Sequence, residues 1–501
     1  MIKNLVIVGG GTAGWISALY LKKILGGDTD ITLIESDDIG IVGVGEGSTP
    51  SFVTMLNILG IDINDFILKT NSTHKLGILF ENWNGDGKNY FHSFGTLHKD
   101  FDYLLNNRMV DTNTAYSHIG MLMNDGSNFE DIDVSSQLAK DNFSPILKEK
   151  INDVDTSLNY SFHFDAQLVS KYFKSIGIDR GIKLISDTVT SFNQSENGDI
   201  KSINLSKGNS IETDFIFDCT GFHRLIIGNL YKSNWKSYTN QLKVKKAITF
   251  QIPQSDDIKP YTRSIAMKYG WMWQIPLQNR IGCGYNFDTD YVSVDDAKKE
   301  VEEFLGYTPT FGKELNYNAG VYERVWINNC IAVGLSSGFT EPIEATSIFN
   351  SISQLWIINK GMLYNYDEKL INFYNSKVCE MNDVVLDFLY FHYMTKRNDT
   401  IFWSEYKNNS IVPDSLERFF EKWQYELPIF KDFENHQFGL HSWLSVAIGL
   451  DYINTNLFIK NYEESNKKQI QEKDMYIKSS IENVLLNSYY ETEYLNKIKN
   501  G

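Results

Sequence analysis

The stretch Asn4-Leu-Val-Ile-Val-Gly-Gly-Gly-Thr-Ala-Gly14 decides the fold of this 501-residue chain. Its apolar run, Leu5–Val8, predicts a short buried strand of a parallel sheet. Apolar residues at helical spacing over Trp15–Leu25 predict a helix directly after the glycines, and Ile31–Ile34 predicts a second strand that ends at Glu35. Strand, glycine turn, helix and strand in this order predict a βαβ unit.

The glycines follow the spacing Gly-x-Gly-x-x-Gly, in which each one has a physical task. Gly9 permits the tight turn, Gly11 lets the backbone approach a pyrophosphate, and Gly14 lets the helix pack on the sheet. The N–H groups at the start of the helix then face the phosphates, and Glu35 is placed to bind a ribose hydroxyl. We therefore predict a bound dinucleotide, held by Gly9, Gly11, Thr12, Ala13, Gly14 and Glu35.

The rest of the chain favours FAD as that dinucleotide. Only one glycine fingerprint of this quality is visible in the sequence. Phe215-Ile-Phe-Asp-Cys-Thr-Gly221 predicts another strand that ends in a turn of small residues, as in the second nucleotide-contacting segment of flavoproteins. A single tightly held FAD is therefore favoured over FAD together with NAD(P)H, and the electrons are expected to reach the flavin from elsewhere.

Bulk composition disfavours several classes of protein. A chain of 501 residues exceeds the usual size of one core, so two or more lobes are expected. The net charge of −16 disfavours nucleic acid and membrane surfaces as partners, and no apolar run approaches about 18 residues. The four cysteines form no Cys-x-x-Cys pair, which disfavours a zinc site or a disulfide framework. We expect a cytoplasmic protein, and nine prolines with frequent Asn and Lys favour a bacterium or a phage-infected bacterial cell.

Later segments extend the pattern of strands and helices. Phe164–Phe173 predicts a helix and Ile182–Ile185 predicts a strand. Residues 189–211 predict a hairpin-rich insertion with glycines at its turns. Residues 244–290 alternate apolar and polar, which predicts an antiparallel sheet over a pocket.

The second half of the chain is predicted to be mostly helical. A strand at Cys330–Gly334 leads into Glu341-Pro-Ile-Glu-Ala-Thr-Ser347, and a helix follows from Ile348 onward. Residues from about 350 to the end have mainly helical spacing. The charged segment 463–501 predicts a terminal amphipathic helix packed on the body as surface cover.

Further motifs are distributed along the chain: Gly9–Trp15, Gly43–Pro50, Lys75 with Phe80–Trp83, His163–Ala166, Asp218–Phe222, Gly270–Leu277, Gly338–Ile348, His392-Tyr393 and Phe402-Trp403. Together these segments resemble the flavin-dependent tryptophan halogenases, a branch of the FAD monooxygenase-like flavoproteins. The resemblance extends from residue 1 to about residue 405. The lysine and the Trp-x-Trp-x-Ile-Pro sequence are its most family-specific parts, whereas the glycine loop occurs in many families.

The resemblance implies a halogenation in two stages. O2 and a halide give hypohalous acid at the reduced flavin, and this acid then passes to Lys75, which presents the halogen to an electron-rich aromatic carbon. A primary amine suits this task because it can form a haloamine or donate a strong hydrogen bond, and a desolvated lysine can shift its pKa. Without its motif, Lys75 would be interpreted as an ordinary solvated lysine.

The resemblance also assigns roles within the segment 341–347. Glu344 matches the acid beside the lysine, which would stabilise the cationic ring intermediate and accept its proton. Glu341, before Pro342, is expected to anchor the turn. The backbone at Thr346 and Ser347 matches the halide-binding turn before a helix. Because the family most often has glycine where Ser347 stands, we expect a halide preference shifted from chloride toward bromide or iodide.

Aromatic residues are implied at the flavin and at the substrate. Trp271 and Trp273 share one face of a strand and, with Pro276, would separate the flavin from the organic substrate; plain core filling is the alternative. His92 and Phe94 match a substrate-pocket segment, although a histidine on an aromatic strand is often structural. On the cofactor side, the resemblance assigns Gly45, Glu46, Ser48, Thr49, Gly334 and Ile348.

The predicted fold class is α/β, with an FAD-binding Rossmann-like domain, a mixed or antiparallel substrate sheet and a helical C-terminal subdomain. Residues 1–360 are expected to form the FAD-binding core, with the substrate sheet inserted at about 235–290. Residues 361–501 are expected to complete the substrate pocket.

The predicted function is that of an FADH2-dependent halogenase acting on a small indole-like or phenolic aromatic. Its expected partners are this substrate, O2 and a separate NAD(P)H-dependent flavin reductase, and the oligomeric state stays open. Two alternatives also stay open. A single-component flavin hydroxylase would oxidise NAD(P)H by itself, and a non-catalytic flavin-binding protein would give no halogenated product. The presence of both Lys75 and Glu344 favours the halogenase.

Overall fold

The computed structural model describes residues 2–36, 45–95, 112–149, 158–433 and 436–500. Helices are distributed along the whole chain and dominate after residue 346, as predicted. They are α1 (Thr12–Leu25), α2 (Pro50–Leu59), α3 (Ile63–Thr70), α4 (Thr112–Asn124), α5 (Val134–Lys140), α6 (Ala166–Asp179), α7 (Val294–Leu305), α8 (Thr346–Ile357), α9 (Lys360–Tyr364), α10 (Glu368–His392), α11 (Ile401–Asn409), α12 (Asp414–Trp423), α13 (Leu440–Gly449), α14 (Asn456–Glu463), α15 (Lys467–Asn487) and α16 (Glu491–Asn500).

The strands are concentrated in the first two thirds of the chain. They are β1 (Asn4–Val8), β2 (Asp30–Glu35), β3 (Glu46–Gly47), β4 (Thr73–Lys75), β5 (Gly77–Glu81), β6 (Asn89–Ser93), β7 (Phe143–Leu147), β8 (Ser161–Phe164), β9 (Lys183–Ser186), β10 (Val189–Gln194), β11 (Ile200–Leu205), β12 (Ser210–Glu212), β13 (Phe215–Asp218), β14 (Trp235–Ser237), β15 (Lys246–Ile252), β16 (Thr262–Met267), β17 (Gly270–Pro276), β18 (Ile281–Phe287), β19 (Phe311–Asn316), β20 (Gly320–Tyr322), β21 (Trp326–Ile327), β22 (Cys330–Ala332), β23 (Gly338–Phe339) and β24 (Ser488–Tyr490).

The chain divides into two compact units, and each is built from three separate stretches. The first unit is Met1–Ser72, Phe164–Leu242 and Tyr317–Asp383, and the second is Thr73–His163, Lys243–Asn316 and Val384–Gly501. The chain therefore passes between the two units several times.

The first unit is organised around a six-stranded sheet in the order β21-β22-β13-β1-β2-β9. Strand β1 pairs in parallel with both β2 and β13, and the short β21 is antiparallel to β22. The central residues Leu5, Val6 and Ile7 are at most 1% exposed, as expected for a parallel strand covered on both faces. The βαβ unit predicted from the opening stretch is therefore confirmed.

One element of the first unit differs from its prediction. A helix was expected over Phe164–Phe173, but Phe164 ends strand β8 and helix α6 begins at Ala166. The cause is Asp165, whose side chain accepts hydrogen bonds from the N–H groups of Gln167 and Leu168 and so caps the helix there. The predicted hairpin region is present as the antiparallel strands β10, β11 and β12.

The second unit contains a seven-stranded sheet in the order β19-β15-β18-β17-β16-β5-β6. The neighbours from β19 to β16 pair antiparallel, whereas β16 and β5 pair in parallel. The mixed sheet predicted for this region is thus confirmed. One face packs against α7 through a core that includes Met272, Tyr285, Ala297 and Val301.

The C-terminal segment of the second unit is more than the single covering helix that the sequence predicts. Helices α15 and α16 are separated by the short strand β24, which pairs with β7.

In the described part of the chain, no single helix is both long and apolar enough to cross a membrane. The helices Pro50–Leu59 and Ile63–Thr70 reach the length and apolar composition of a membrane span only when they are counted together, and the chain bends by 114° between them.

Candidate active site

The glycine loop of the first unit has the geometry that a diphosphate requires. Gly9 has φ +116°, and a Cβ there would lie 2.1 Å from the carbonyl oxygen of Cys219. A Cβ on Gly14 would lie 1.9 Å from the carbonyl oxygen of Gly9, whereas a Cβ on Gly11 would meet nothing within 4 Å. Helix α1 begins at Thr12 without a side-chain cap, so its first N–H groups can bind phosphate oxygens. These residues therefore fit FAD.

Glu35 lies at the end of β2 beside this loop. Its Oε2 would be 2.0 Å from a Cβ on Gly10, and its Oε1 forms an ion pair of 2.5 Å with Nζ of Lys174. Ser170, on the same helix α6, donates from Oγ to the carbonyl oxygen of Gly10 at 2.7 Å. Lys174 was not predicted from the sequence, since nothing in the spacing of α6 distinguishes it from the neighbouring lysine.

The segment expected beside the flavin is described only from Gly45 onward, and Gly43 and Val44 lie outside the described residues. Gly45 has φ +136°, a conformation that favours glycine. Ser48 and Thr49 are buried, and withdrawal from solvent together with the charge of Asp165 raises the pKa of Glu46 to about 7. The segment therefore contains a carboxyl group that changes charge near neutral pH.

Residues 334–348 return to the glycine loop within the first unit. Gly334 has φ +75°, and a Cβ there would lie 2.8 Å from Cβ of Ala13. Two predicted cofactor residues that are far apart in sequence are therefore in contact. Ile348 is buried on α8. The close approach explains why a glycine stands at position 334.

The turn that leads into α8 has an unusual backbone. Ala345 has φ +55°, a left-handed conformation that costs a non-glycine residue about 1–3 kcal/mol. It is the N-cap of α8, and no side chain caps the helix. A one-turn 3-10 helix, Pro342–Glu344, precedes Ala345. Glu341, just before this turn, and Glu344, its last residue, are at most 1% exposed. Thr346 is fully buried, with its hydroxyl 3.0 Å from that of Thr340.

A small cavity lies at this turn. Its volume is about 10 Å³, which is the room of about one water molecule. Its lining includes Gly334 and Ser347, so a predicted cofactor residue and a predicted halide residue border the same space. The remaining lining residues are Leu335, Ser337, Gly338, Phe339, Thr340, Asn350 and Asn382.

Lys75 is in the second unit, at the end of strand β4. It is 1% exposed, and its Nζ lies 5.2 Å from the centroid of the Phe94 ring, within the range of a cation–π interaction. His92 is 2% exposed and packs against the rings of Phe388 and Phe438. Lys75 and Phe94 are thus brought together, while His92 is part of an aromatic cluster.

A hydrogen-bond chain joins β4 to the tryptophan strand β17. Thr73 donates from Oγ1 to the carbonyl oxygen of Pro276 at 2.7 Å and lies 3.1 Å from Nδ1 of His163. His163 Nε2 is 2.9 Å from Oγ1 of Thr262. Because the Thr73 hydroxyl proton is already used, Nδ1 of His163 is the donor and Nε2 accepts from Thr262.

His163 is therefore a neutral imidazole in this chain of hydrogen bonds. Its pKa is held well below the ordinary value, first by burial and then by the charge of Lys75. From the sequence, His163 was predicted to belong to a family motif but had no assigned role. Thr73 was also missed, although a period of two along a strand places it on the same face as Lys75.

Trp271 and Trp273 lie on one face of β17, with their ring centroids 6.0 Å apart. Both are at least nine-tenths buried. Across the neighbouring strands, Trp273 stands opposite Ser264 and Gly284. Small residues on both flanking strands leave room for a large indole over the sheet, so packing explains the position of Trp273 without a ligand.

The chain is similar over most of its length to known proteins. A family described as "Tryptophan halogenase" matches residues 4–459. The tryptophan 6-halogenase SttH of Streptomyces toxytricini is 32% identical over 468 residues, which is 89% of this chain and 89% of that protein. The tryptophan 7-halogenase RebH of Lentzea aerocolonigenes is 30% identical over 443 residues, covering 83% of this chain and 81% of RebH.

Solved structures of flavin-dependent halogenases are similar to this chain in fold. The crystal structure of SttH superposes with a TM-score of 0.87 at 29% identity, covering 99% of each chain. The flavin-dependent halogenase Xcc4156 from Xanthomonas campestris has a TM-score of 0.85 at 30% identity, covering 99% of this chain and 98% of that one.

Proposed function

The chain belongs to the tryptophan halogenase family, and on this premise we propose that it halogenates a small indole-like or phenolic aromatic through Lys75. As a member of that family it is a flavin-dependent halogenase and an oxidoreductase, with FADH2 and a halide as its cofactors. The names of the relatives support an indole ring as the substrate. They give no support to the alternatives of a hydroxylase or a non-catalytic flavin-binding protein.

The proposed reaction balances in two steps. When bound, reduced FAD would supply two electrons to O2 and the halide would supply two more, so that FADH2, O2, the halide ion and one proton from solvent give FAD, hypohalous acid and water. The halogen of HOX is then transferred to a ring carbon without its bonding electron pair. The ring loses a proton, which combines with the hydroxide left behind, so that Ar–H and HOX become Ar–X and water.

Burial of the Lys75 amine is the observation that carries this proposal. Lys75 is 1% exposed, so bulk water has little access to a halogen held at its Nζ, which favours transfer to carbon over loss by hydrolysis. The neighbouring Phe94 ring, 5.2 Å from Nζ, stabilises the ammonium form.

The acidic and halide-binding roles are assigned to the turn before α8. Glu344 is 1% exposed, and a carboxylate in such an environment can take the proton that the ring loses. The N–H groups at Thr346 and Ser347 begin a helix without a side-chain cap, which suits a desolvated anion. We propose that halide binds there.

The side chain of Ser347 leads to a finer proposal about the halide. Where the family most often has glycine, Ser347 adds a Cβ and a hydroxyl at the edge of a cavity with room for about one water molecule. We propose that this reshaped pocket shifts the preference from chloride toward bromide or iodide, which are also easier to oxidise.

A separate NAD(P)H-dependent reductase is proposed as the source of FADH2. The support is the single glycine fingerprint, at Gly9–Gly14, which the proposed FAD would occupy. Purified protein with FAD and NAD(P)H alone would then give no halogenated product. Addition of any flavin reductase would start the reaction.

Mass spectrometry of the products tests the proposal. The protein is supplied with FAD, a flavin reductase, NADH, O2 and one halide, and is offered a panel of free indoles, tryptophan and phenols. We expect one regioisomer of a monohalogenated product with the wild type and with Lys88→Ala, in which an exposed lysine is removed. Lys75→Ala should lose this product. A hydroxylated product, or none from any substrate, would contradict the proposal.

A further inference from the structure

Strand β4, which ends at Lys75, is only three residues long. It pairs antiparallel with β8, with Thr73 opposite His163, His74 opposite Phe162 and Lys75 opposite Ser161. Among the residues that the structure describes, its other edge meets no strand. Because side chains alternate along a strand, Lys75 and His74 point to opposite faces. A rotation of the strand backbone at His74 would therefore also turn Lys75.

His74 is held by the C-terminal helix. The carboxylate of Glu491, the first residue of α16, accepts the main-chain N–H of His74 at Oε1 and lies with Oε2 against its ring Nδ1, each at 2.9 Å. Both residues are completely buried. Hydrogen bonds to an ionised carboxylate are shorter and stronger than those between neutral groups. Glu491 thus holds the edge of β4 that faces away from β8 at two points, the backbone and the ring of His74. We call this pair of hydrogen bonds the clamp.

The clamp itself is fixed within the second unit. The N–H of Glu491 donates to the carbonyl oxygen of Asn142 at 2.9 Å, and Oγ1 of Thr492 donates to that of Asp256, also at 2.9 Å. The ring of Tyr494 lies 5.4 Å from that of His74. Such a carboxylate has little freedom to move without moving the start of α16.

We propose that Glu491 is a positioning residue for Lys75, which sets the direction of the lysine by clamping His74. The inference rests on the proposed role of Lys75 in halogen transfer. Thr73 is fixed on the lysine's own face by His163 and Pro276. On the opposite face His74 contacts the Ser144 hydroxyl and the rings of Tyr160 and Phe162, and Glu491 supplies the hydrogen bonds to its backbone and ring. When the clamp is weakened, β4 can rotate about the remaining contacts and Nζ moves away from its working position.

The expected consequence is that FADH2 is still oxidised at the normal rate, while less of the hypohalous acid formed is used to halogenate the substrate. A misplacement of about 1 Å in a reacting group can cost about 100-fold in rate. Hypohalous acid made at the flavin would then escape before it reaches the substrate. A purely structural role of Glu491 would instead reduce flavin turnover and halogenation together.

The experiment measures halogenated substrate per FADH2 oxidised, with a thioether added to trap free hypohalous acid. Glu491→Gln keeps the size of the side chain and removes its charge, and Glu491→Asp withdraws the charged group by one methylene. For both variants we expect the ratio to fall by about 10-fold or more, with the difference recovered as oxidised thioether. Glu493→Gln, on the exposed face of the same helix, should match the wild type.

The outcomes are distinguishable from failure of the proposed function. A wild-type ratio in both Glu491 variants, or a parallel fall of FADH2 oxidation and halogenation, would overturn the inference. If Glu491→Gln does not fold, Glu491→Asp decides, since it keeps the buried charge. Lys75→Ala, measured in parallel, tests the lysine itself. If Lys75→Ala still halogenates the substrate normally, the proposed function is contradicted. If Lys75→Ala loses halogenation while both Glu491 variants keep the wild-type ratio, only the positioning role is contradicted.

Discussion

Gly284 stands directly across the sheet from Trp273, and a Cβ on Gly284 would lie 2.0 Å from the indole ring. This glycine therefore reserves space for the tryptophan. On the other flanking strand Ser264 is also small and is only 1% exposed. The position of Trp273 is set by the absence of side-chain volume beside it.

Replacement of Gly284 by alanine should displace the Trp273 ring. Overpacking of this kind costs about 1–3 kcal/mol of unfolding free energy, which denaturant unfolding followed by tryptophan fluorescence can measure. Gly27→Ala is the control, because a Cβ there would meet nothing within 4 Å. If Gly284→Ala is as stable as the control and keeps the wild-type fluorescence spectrum, the packing described for Trp273 is wrong.

Cofactor affinity should depend on Glu35 more than on its partner Lys174. Loss of a hydrogen bond from the ribose to a charged carboxylate costs about 1.5–3 kcal/mol, so Glu35→Ala should weaken FAD binding by about 10-fold or more. Lys174→Met should have a smaller effect, since it removes only the ion pair that orients the carboxylate.

Titration of the protein with FAD, followed by quenching of flavin fluorescence, gives these dissociation constants. Lys171→Met, which removes an exposed lysine of the same helix, should leave the affinity unchanged. Equal FAD affinity in the wild type and Glu35→Ala would show that Glu35 does not bind the ribose of FAD.

Halide choice should change when Ser347 is replaced by glycine. The substitution removes a Cβ and a hydroxyl from the cavity that Ser347 borders, so the ratio of brominated to chlorinated product in equimolar halides should shift toward chloride. Mass spectrometry of a competition reaction measures the ratio directly. A wild-type enzyme that already prefers chloride would refute the proposed bromide or iodide preference.

Stability should depend on pH through Glu46. Its pKa is raised from 4.5 to about 7 in the folded chain, so the folded state binds the proton more tightly than the unfolded state. The contribution of this group is fully present below about pH 4.5 and is lost as the pH rises through about 7. Glu46→Gln cannot titrate and should gain stability relative to the wild type across this window.

Denaturant unfolding of the FAD-free protein at about pH 5 and about pH 7.5 tests this sign. Glu196→Gln, at an exposed position in the β10–β11 turn, is the control, and its stability should differ from that of the wild type by the same amount at both pH values. A constant difference between wild type and Glu46→Gln would mean that the Glu46 carboxyl is not withdrawn from solvent as described.

The parts of the fold that local sequence controls were predictable. The glycine spacing at Gly9–Gly14 predicts which positions have no room for a side chain. In the structure Gly9 and Gly14 lie against backbone atoms, and the space beside Gly11 is open, as the motif requires. The sheet at 244–290 was also predictable, because alternation of apolar and polar residues is a local pattern. The local pattern gave the wrong start for helix α6, because the N-cap Asp165 makes the helix begin at Ala166 and not at Phe164.

The contacts that connect distant residues were not predictable. Glu491 and His74 are 417 positions apart, and no periodicity links a C-terminal helix to a strand near the start of the chain. A charged terminal segment has the pattern of surface cover, and only burial shows that one of its carboxylates is internal. The two units are likewise built from stretches that are far apart in sequence, and such units leave no composition boundary in the sequence.

The roles of Lys75 and Glu344 stay predictions, because a side chain's position does not report its chemistry. The most direct measurement is the fate of hypohalous acid in Lys75→Met, which keeps an unbranched side chain one atom shorter and removes the amine. With a thioether trap present, the account predicts that halogenated substrate per FADH2 oxidised falls by about 100-fold, while oxidised thioether rises to take its place. Regioselective halogenation at the wild-type ratio in Lys75→Met would contradict the central claim.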